Sequence, residues 1–302
     1  MKISEIAERC GYEFCGENID VNNIRYAGCA DENSIAILKS IDDMNRLKAK
    51  CILSTPRLIK TDKSIIYTGD SIEFASVMIA RILNEDNNKQ YSKLVKYTRK
   101  DDYYLGENVV IGNNTYICPN VCIDNNVIIG SNCYISANAH IKSNVIIKNG
   151  VSIGDGTIIG AESFYHYFDN GLQEFEGLGT VIINDNVSIG SNTIIQRGTF
   201  SDTLIGARSR IGNLIDIGHD VFIGHDCKIV SQTGIASNVR IKNYVTIYGQ
   251  VGVANGINIG NQAVVYAKSL VTKNIDDNQH VSGMYARDHI DELRIQAKLR
   301  KL

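Results

Sequence analysis

The feature that most constrains the fold of this 302-residue chain is an aliphatic residue at every sixth position. The spacing holds from Ile111 to Ile159, returns from Ile183 to Ile195, and continues from Ile205 to Val271 after a slip of four residues. These stretches contain 24 hexads. A period of six fits neither the 3.6-residue period of an α-helix nor the two-residue alternation of a strand. It indicates a short strand followed by a turn, repeated along a solenoid.

The hexads predict a coil with three faces, in which each strand points one branched aliphatic side chain inward. Coils of this kind stack at about 4.8 Å, the strand spacing of a sheet. The 24 hexads therefore give eight coils, and the inward ladder is their core. Glycine or an Asn/Asp pair follows many of the aliphatic residues, as in residues 112–114, 130–132 and 184–186. We expect these corners, the glycines included, to adopt left-handed backbone angles.

Two segments interrupt the repeat. Residues 161–180 contain five aromatic side chains, too many for a solvated linker. They are typical either of a loop that covers its own coil or of one that reaches a neighbouring subunit or a ligand, and both interpretations stay open. The second interruption, residues 196–203, predicts a short bulge.

The flanking segments differ from the repeat. We predict a small α/β domain over residues 1–100, a β-helix domain over residues 101–275 and a helical tail over residues 276–302. Within these parts the pattern predicts strands at 49–54 and 64–67, helices at 72–83 and 289–300, and a polar linker at 84–102. A helix as short as the last is marginal alone, so we expect it to pack on something.

Composition excludes several classes. A net charge of -2 gives no global basic field for nucleic acid. No apolar run approaches the roughly 18 residues that span a bilayer, so at most peripheral membrane association is expected. The start of the chain lacks the apolar segment of a signal peptide. The eight cysteines show no zinc-ligand spacing. We therefore expect reduced, mostly structural thiols, a cytoplasmic protein and no metal site.

Several motifs occur in one order along the repeat, and together they resemble the family of UDP-3-O-acylglucosamine N-acyltransferases. These motifs are Arg197-Gly198 with Asp202-Thr203, Asn213-Leu214, and the residues at 217–221, 232–236 and 249–254. The resemblance implies a mainly β fold, a left-handed parallel β-helix of hexapeptide repeats with an N-terminal α/β domain and a C-terminal helix. It also implies a homotrimer with active sites between adjacent β-helices. The implied reaction moves a hydroxyacyl chain from acyl carrier protein to the amine of a nucleotide-linked amino sugar in lipid A synthesis, with no bound cofactor.

Acyl transfer to an amine needs a general base, and histidine suits this role near neutral pH. The family's catalytic histidine corresponds to His219, which follows inward Ile217 by two residues at a turn. We expect its side chain to face outward, on the outer surface of the coil. His225 has the same placement one hexad later and is a lesser candidate for contact with the substrate.

The reaction also needs a donor for the developing oxyanion. In the family a glycine one coil above the histidine offers its backbone N–H, and here that position is Ser237, 18 residues after His219. Asn213 matches a family position and is predicted either to contact the sugar or to belong to an asparagine ladder. Gln232 and Gln250 lie in the matching motifs and are further candidates for substrate binding.

Departures from the family pattern leave alternatives open. Gly212, Gln196 and Asn255-Gly256 replace motif residues, and residues 39–43 replace the stretch that helps to hold the uridine. The identity of the nucleotide is therefore open. Two other functions also stay open, an acetyl-CoA-dependent amino-sugar acetyltransferase and a non-catalytic scaffold. A basic tail could attract the acidic carrier protein or only complement a helix C-terminus; its members are Arg287, Arg294, Lys298, Arg300 and Lys301.

Overall fold

The N-terminal part of the chain is a small α/β unit in the computed structural model, which describes residues 1–38, 44, 47–55, 61–85, 95–283 and 289–300. Its sheet has the order β1 (Glu13–Cys15), β5 (Ser64–Tyr67), β4 (Cys51–Ser54), β3 (Ser34–Ile37) and β2 (Asn23–Tyr26). Only the β1–β5 pair is antiparallel. Helices α1 (Ile3–Cys10) and α2 (Ile72–Glu85) and a short 3₁₀ helix (Ala27–Cys29) complete it. The predicted helix at 72–83 and strands at 49–54 and 64–67 are confirmed.

The rest of the described chain is dominated by a three-faced coil of short parallel strands. The first face comprises Tyr103–Leu105, Cys122–Ile123, His140–Ile141, Ile158–Ala161, Ile194–Gln196, Asp216–Ile217, Gly234–Ile235, Gly252–Val253 and Leu270–Val271. The second comprises Val110–Ile111, Ile128–Ile129, Ile146–Ile147, Val181–Ile183, Thr203–Ile205, Phe222–Ile223, Arg240–Ile241 and Asn258–Ile259. The third comprises Tyr116–Ile117, Tyr134–Ile135, Ser152–Ile153, Ser188–Ile189, Arg210–Ile211, Lys228–Ile229, Thr246–Ile247, Val264–Val265 and His280–Val281. The fold is a left-handed parallel β-helix, as expected.

All 24 predicted hexads are strands of this coil, and every predicted inward residue after Ile117 is buried. The coil also continues one strand further at each end, at Tyr103–Leu105 and His280–Val281. The two-residue strands each point one aliphatic side chain inward, as expected, but the core also receives side chains from the residues that precede the strands. A second, smaller residue two positions before the aliphatic one is also buried in most hexads, as Cys133, Val145 and Cys227 show. Two of the cysteines thus belong to the core, and all eight are free thiols.

The expected role of the corner glycines holds only in part: Gly150, Gly156 and Gly256 have left-handed angles, but most corner glycines do not. The left-handed angles belong mostly to Asn, Asp and Gln residues, such as Asn114 with φ 58° and Asn132 with φ 57°. Gly112 and Gly130, which precede them, do not have positive φ. A side chain at Gly112 would instead place its Cβ 2.5 Å from the backbone of the next coil. At these glycines the next coil approaches more closely than a Cβ would allow.

Both interruptions of the repeat leave the coil at one corner, between the first face and the second. We call it the first corner, and on successive coils it carries residues 162–180, residues 197–202 and then residues 218–221. The first interruption, residues 162–180, contains a hairpin of His166–Phe168 and Leu172–Glu174, and we call it the hairpin segment. Tyr167 and Phe175 from this hairpin and Phe200 from the bulge pack into the core of the N-terminal unit. The two irregular segments therefore join the N-terminal unit to the coil.

The ends of the coil complete the described fold. Strand Thr98–Lys100 pairs antiparallel with Tyr103–Leu105, so the end of the predicted linker is ordered structure. The linker residues 86–94 lie outside the described residues. The predicted C-terminal helix is present as α3 (His289–Leu299). In the basic tail, Arg287 and Lys301 lie outside the described residues, as do residues 39–43.

Candidate active site

His219 lies at the first corner, between strands Asp216–Ile217 and Phe222–Ile223. Its side chain points away from the aliphatic core of the coil, as expected, but it is not on an open surface. Only 4% of the residue is exposed. The Tyr165 ring from the hairpin segment meets the imidazole edge to face, with the two ring centroids 5.8 Å apart, and the bulge covers another side. The first corner therefore encloses the histidine.

One nitrogen of the His219 ring is committed to the protein. Nδ1 lies 2.7 Å from Oδ2 of Asp220 and 3.0 Å from Oγ1 of Thr199. In the tautomer that satisfies the carboxylate, Nδ1 carries the proton and donates it to Asp220. Nε2 is then the unprotonated nitrogen with a free lone pair. The geometry leaves Nε2 as the basic atom of the ring.

The Asp220 carboxylate is itself held by the bulge. Its Oδ1 accepts hydrogen bonds from three consecutive backbone N–H groups, those of Thr199 at 3.1 Å, Phe200 at 3.2 Å and Ser201 at 2.7 Å. Three N–H donors around one oxygen form an anion-binding concavity. The side chain of Asp220 is only 1% exposed, so its charge is compensated by backbone dipoles and by the imidazole.

Two tyrosines near this pair stay protonated. Burial, and to a smaller extent the carboxylates of Glu73 and Asp220, raise the pKa of Tyr165 to about 12. Burial also raises the pKa of Tyr26, which lies on the N-terminal side of the bulge, and the Asp220 charge adds to this effect. Neither phenol is therefore an ionised base near neutral pH.

Ser237 is at the same corner as His219, one coil above it. A side chain at Gly218 would place its Cβ 2.8 Å from the Ser237 nitrogen, so the glycine leaves that N–H uncovered. At the corner between the second and third faces the matching N–H group is occupied, because Asn243 N donates to Asn261 Oδ1 at 3.2 Å. Within the described residues, the Ser237 N–H has no hydrogen-bond acceptor.

The structure does not bring the other predicted residues to His219 within one chain. Asn213, Gln232 and Gln250 lie at the corner between the third and first faces, and His225 lies at the corner between the second and third. Asn213 accepts a hydrogen bond from the Ser191 backbone. A contact of this kind between coils is what the asparagine-ladder interpretation predicts. Gln250 donates to Gln232 at 2.6 Å in a similar ladder. Substrate contact by these four residues stays a prediction.

His225 forms a pair that resembles that of His219 in only one respect. Its Nδ1 is also 2.7 Å from the carboxylate of the next residue, Asp226. The imidazole is 38% exposed, however, and Arg208 binds Asp226 through two hydrogen bonds of 2.8 and 2.6 Å. The Arg208 guanidinium and then the His225 imidazole lower the pKa of Asp226 to about 2.

Sequence reasoning missed the roles of Asp220 and Thr199. The four-residue slip in the repeat could have indicated these roles. It marks an insertion one coil below His219, and an insertion there must project from the corner that carries His219. The aromatic segment was left with two interpretations. Tyr165, Tyr167 and Phe175 pack against the N-terminal unit of the same chain, a contact that neither interpretation named, while Phe164 and Phe168 remain 78% and 79% exposed.

A cavity of about 520 Å³ lies between the hairpin segment and the first face. Arg197 spans its wall, donating from Nε to the Gly179 carbonyl at 3.1 Å and from Nη2 to the Ser143 carbonyl at 3.2 Å. These bonds tie the bulge to both the hairpin segment and the coil below.

Within the described residues, no group of three or more His, Cys, Asp and Glu side chains could hold a metal ion.

Comparison with known proteins shows relatives along the whole chain. Residues 102–137 match the family model described as bacterial transferase hexapeptide (six repeats). The UDP-3-O-acylglucosamine N-acyltransferase of Campylobacter jejuni subsp. doylei is 39% identical over 99% of this chain and 98% of its own. That of Campylobacter curvus is 30% identical, but the match covers only 40% of this chain and 38% of the relative.

A solved structure agrees in fold. The UDP-N-acetylglucosamine acyltransferase of Bacteroides fragilis has a TM-score of 0.55 at 28% identity, over 66% of this chain and 78% of its own. Within the described residues, none of the helices has the length and apolar character required to cross a membrane.

Proposed function

Since the chain belongs to the UDP-3-O-acylglucosamine N-acyltransferase family, and so is an acyltransferase of lipid A synthesis, we propose the donor, the acceptor and the residues of its reaction. The donor is acyl carrier protein loaded with a 3-hydroxyacyl chain. The acceptor is the amine of a nucleotide-linked amino sugar. No other cofactor takes part. The observation that supports the assignment is the enclosed His219–Asp220 pair at the corner where both irregular segments leave the coil.

His219 acts as the general base. The amine nitrogen attacks the thioester carbonyl carbon, and Nε2 accepts the amine proton as the C–N bond forms. The C–S bond then breaks, and the imidazolium returns the proton to the leaving thiolate. Asp220 accepts the Nδ1 hydrogen bond throughout, so it stabilises the positive charge that forms on the ring. No protein nucleophile is needed, because the amine attacks directly.

Ser237 supplies a backbone hydrogen bond to the oxyanion. Its N–H is at the same corner as His219, and the absence of a side chain at Gly218 leaves it accessible. A fixed N–H aimed at the developing charge stabilises the transition state without reorganisation. The serine side chain, which replaces the family's glycine, does not remove this donor.

The protein acts as a homotrimer that meets acyl carrier protein with its basic tail. On the second face six successive outward side chains are apolar, and several are exposed, among them Val110 at 58% and Ile128 at 46%. The six are Val110, Ile128, Ile146, Ile182, Leu204 and Phe222. An apolar stripe of this length on a soluble protein marks an interface, and we assign it to contact between subunits. Arg294 and Arg300 are exposed cations that suit an acidic carrier.

The test is turnover with defined donors. The purified protein is mixed with UDP-3-O-acylglucosamine and either 3-hydroxyacyl carrier proteins of different chain lengths or acetyl-CoA, and the product is identified by mass. We expect amide product from the carrier-protein donor and a loss of at least about 100-fold in kcat for His219→Ala. His140→Ala is the control, because His140 also pairs with a carboxylate, Asp124, at 2.8 Å. Turnover only with acetyl-CoA would establish the alternative donor, and full activity of His219→Ala would exclude this mechanism.

A further inference from the structure

We propose that the N-terminal unit sets the orientation of His219, through Phe200 and the carboxylate of Asp220. In this proposal, which rests on His219 being the base, Phe200 and Asp220 are positioning residues that need not touch the substrate. The connection runs over four contacts, each present in the structure: N-terminal core to Phe200, Phe200 to the bulge backbone, the bulge backbone to Asp220, and Asp220 to His219.

Phe200 belongs to the N-terminal core although it comes from the coil. It is 1% exposed, and among the described residues it is the largest fully buried side chain. Its ring stacks on Phe175 at 5.4 Å and meets the edge of Tyr26 at 5.6 Å. Its carbonyl accepts a hydrogen bond from the Tyr26 backbone at 3.4 Å. A side chain so enclosed fixes the backbone that carries it.

The bulge around Phe200 has little freedom to take another shape. A side chain at Gly198 would place its Cβ 1.6 Å from the Ser201 carbonyl oxygen, and one at Gly179 would approach the same oxygen at 1.8 Å. Asp202 adds a further link, accepting from the Thr180 backbone at 2.9 Å and pairing with Arg25 of the N-terminal unit at 3.5 Å. The bulge is thus clamped from the hairpin segment and from the N-terminal unit.

The clamped backbone points its three N–H groups at a single oxygen of Asp220. This is an unusual way to hold a carboxylate that orients a histidine, because its donors belong to the main chain and have no rotamer freedom. The exposed His225–Asp226 pair provides the contrast within the same chain. There the same 2.7 Å bond is present, but the second partner of the carboxylate is the 54%-exposed side chain of Arg208. The carboxylate of the buried His219–Asp220 pair is held by backbone that packs on the N-terminal core. The carboxylate of the His225–Asp226 pair is held by a solvent-exposed arginine.

The consequence is that damage to the N-terminal core should affect catalysis only when it moves the bulge. Phe200→Leu shortens the side chain that holds the bulge. Leu53→Ala creates a cavity in the same hydrophobic cluster, which contains both residues, without touching the bulge. Asp220→Asn removes the carboxylate, and Asp226→Asn makes the same change in the exposed pair.

The experiment measures kcat, KM and the pH profile of kcat for these four variants, after unfolding curves show that each is folded at the assay temperature. We expect kcat to fall about tenfold to 100-fold in Phe200→Leu and Asp220→Asn with KM within about twofold, because misplacement of a catalytic group acts on the chemical step. Leu53→Ala and Asp226→Asn should keep kcat within about twofold. The acidic limb of the pH profile of kcat, along which the base loses its proton, should shift in the first two variants only.

A second readout follows the tautomer directly. With ¹⁵N-labelled histidine, the imidazole nitrogens of His219 should report a protonated Nδ1 in the unaltered protein, and a mixture of tautomers in Phe200→Leu and Asp220→Asn. Equal loss of kcat in Phe200→Leu and Leu53→Ala, or an unchanged tautomer in Phe200→Leu, would overturn the proposal. Full activity of His219→Ala would instead remove the proposed function, so the two failures are distinct.

Discussion

At the scale of single residues, the coil is governed by the short distance between stacked backbones. The glycines that follow an aliphatic residue face the next coil so closely that an added Cβ would meet main-chain atoms. At Gly206 the three nearest atoms would be backbone atoms of Gly224 and His225, at 2.3 to 2.6 Å. Gly234, on the outward side of the first face, would have no atom within 4 Å of such a Cβ. Close packing of the coils therefore requires glycine at Gly206, whereas no neighbouring atom requires it at Gly234.

These two glycines give a direct comparison. We expect Gly206→Ala to lower the free energy of unfolding by about 1–3 kcal/mol, because neighbouring coils must move apart to admit the methyl group. Gly234→Ala should change it by less than about 1 kcal/mol, because alanine restricts the unfolded chain without a clash in the folded one. Urea unfolding of both variants checks this, and equal destabilisation would contradict the account of the corner glycines.

At the scale of elements, the first corner gathers the attachments between the coil and the rest of the chain. Below the hairpin segment, the buried carboxylate of Asp124 accepts hydrogen bonds from Tyr97 at 2.5 Å and pairs with His140 at 2.8 Å. Tyr97 directly precedes strand Thr98–Lys100, so this cluster fastens the entry strand to the first face. Burial alone would raise the pKa of Asp124, but the hydrogen bonds from His140 and Tyr97 hold it below its ordinary value.

This shift makes the stability of the entry strand depend on pH. A carboxyl group whose folded pKa is lowered stabilises the fold above its ordinary pKa of 3.8, and this contribution is lost as the pH falls through the lower folded value. We expect Asp124→Asn to lower the free energy of unfolding by about 1–3 kcal/mol at pH 7. The difference from the unaltered protein should shrink below pH 3.8.

Thermal unfolding between pH 3 and pH 7 measures this effect. Asp277→Asn is the control, because its pair with Lys242 is exposed and exposed ion pairs contribute little. A constant difference between Asp124→Asn and the unaltered protein over the whole range would show that the charge of Asp124 contributes nothing.

At the scale of the whole molecule, the apolar stripe of the second face is the surface that most needs a partner. In a closed ring of three chains each contact is heterologous, so the stripe of one subunit meets a different surface of its neighbour. Such a contact would bring residues from other corners, His225 and Asn213 among them, near the first corner of another chain. The assembly is therefore where their predicted roles can be tested.

The assembly prediction concerns mass in solution. We expect sedimentation equilibrium to give three times the 33.3 kDa mass of the chain. Ile128→Glu should dissociate the trimer, because a charge in an apolar contact is costly when unpaired. Leu270→Glu, a similar change at a 74%-exposed site on the first face, should leave the trimer intact. A trimer that survives Ile128→Glu would show that the stripe is not the contact.

The sequence predicted the coil to the residue, because a period of six is a local property that each hexad repeats independently. It also predicted the second helix and two strands of the N-terminal unit, and the C-terminal helix, from local spacing, but not helix α1. Its interpretation of the glycines was right for Gly150, Gly156 and Gly256 but not for Gly112 or Gly206, since the close approach at these two lies 18 residues away, in the next coil. It placed His219 on an open surface for a similar reason: nothing in the hexad itself shows what folds over it.

The sequence by itself therefore determined the solenoid, its register and the position of the family's histidine. Only the tertiary structure decided that both irregular segments leave from one corner, that Phe200 enters the core of another unit, and that three N–H groups of the bulge hold Asp220. The physical reason is that strand periodicity is fixed by neighbouring residues. The environment of a side chain at a corner is fixed by segments that are distant in the chain.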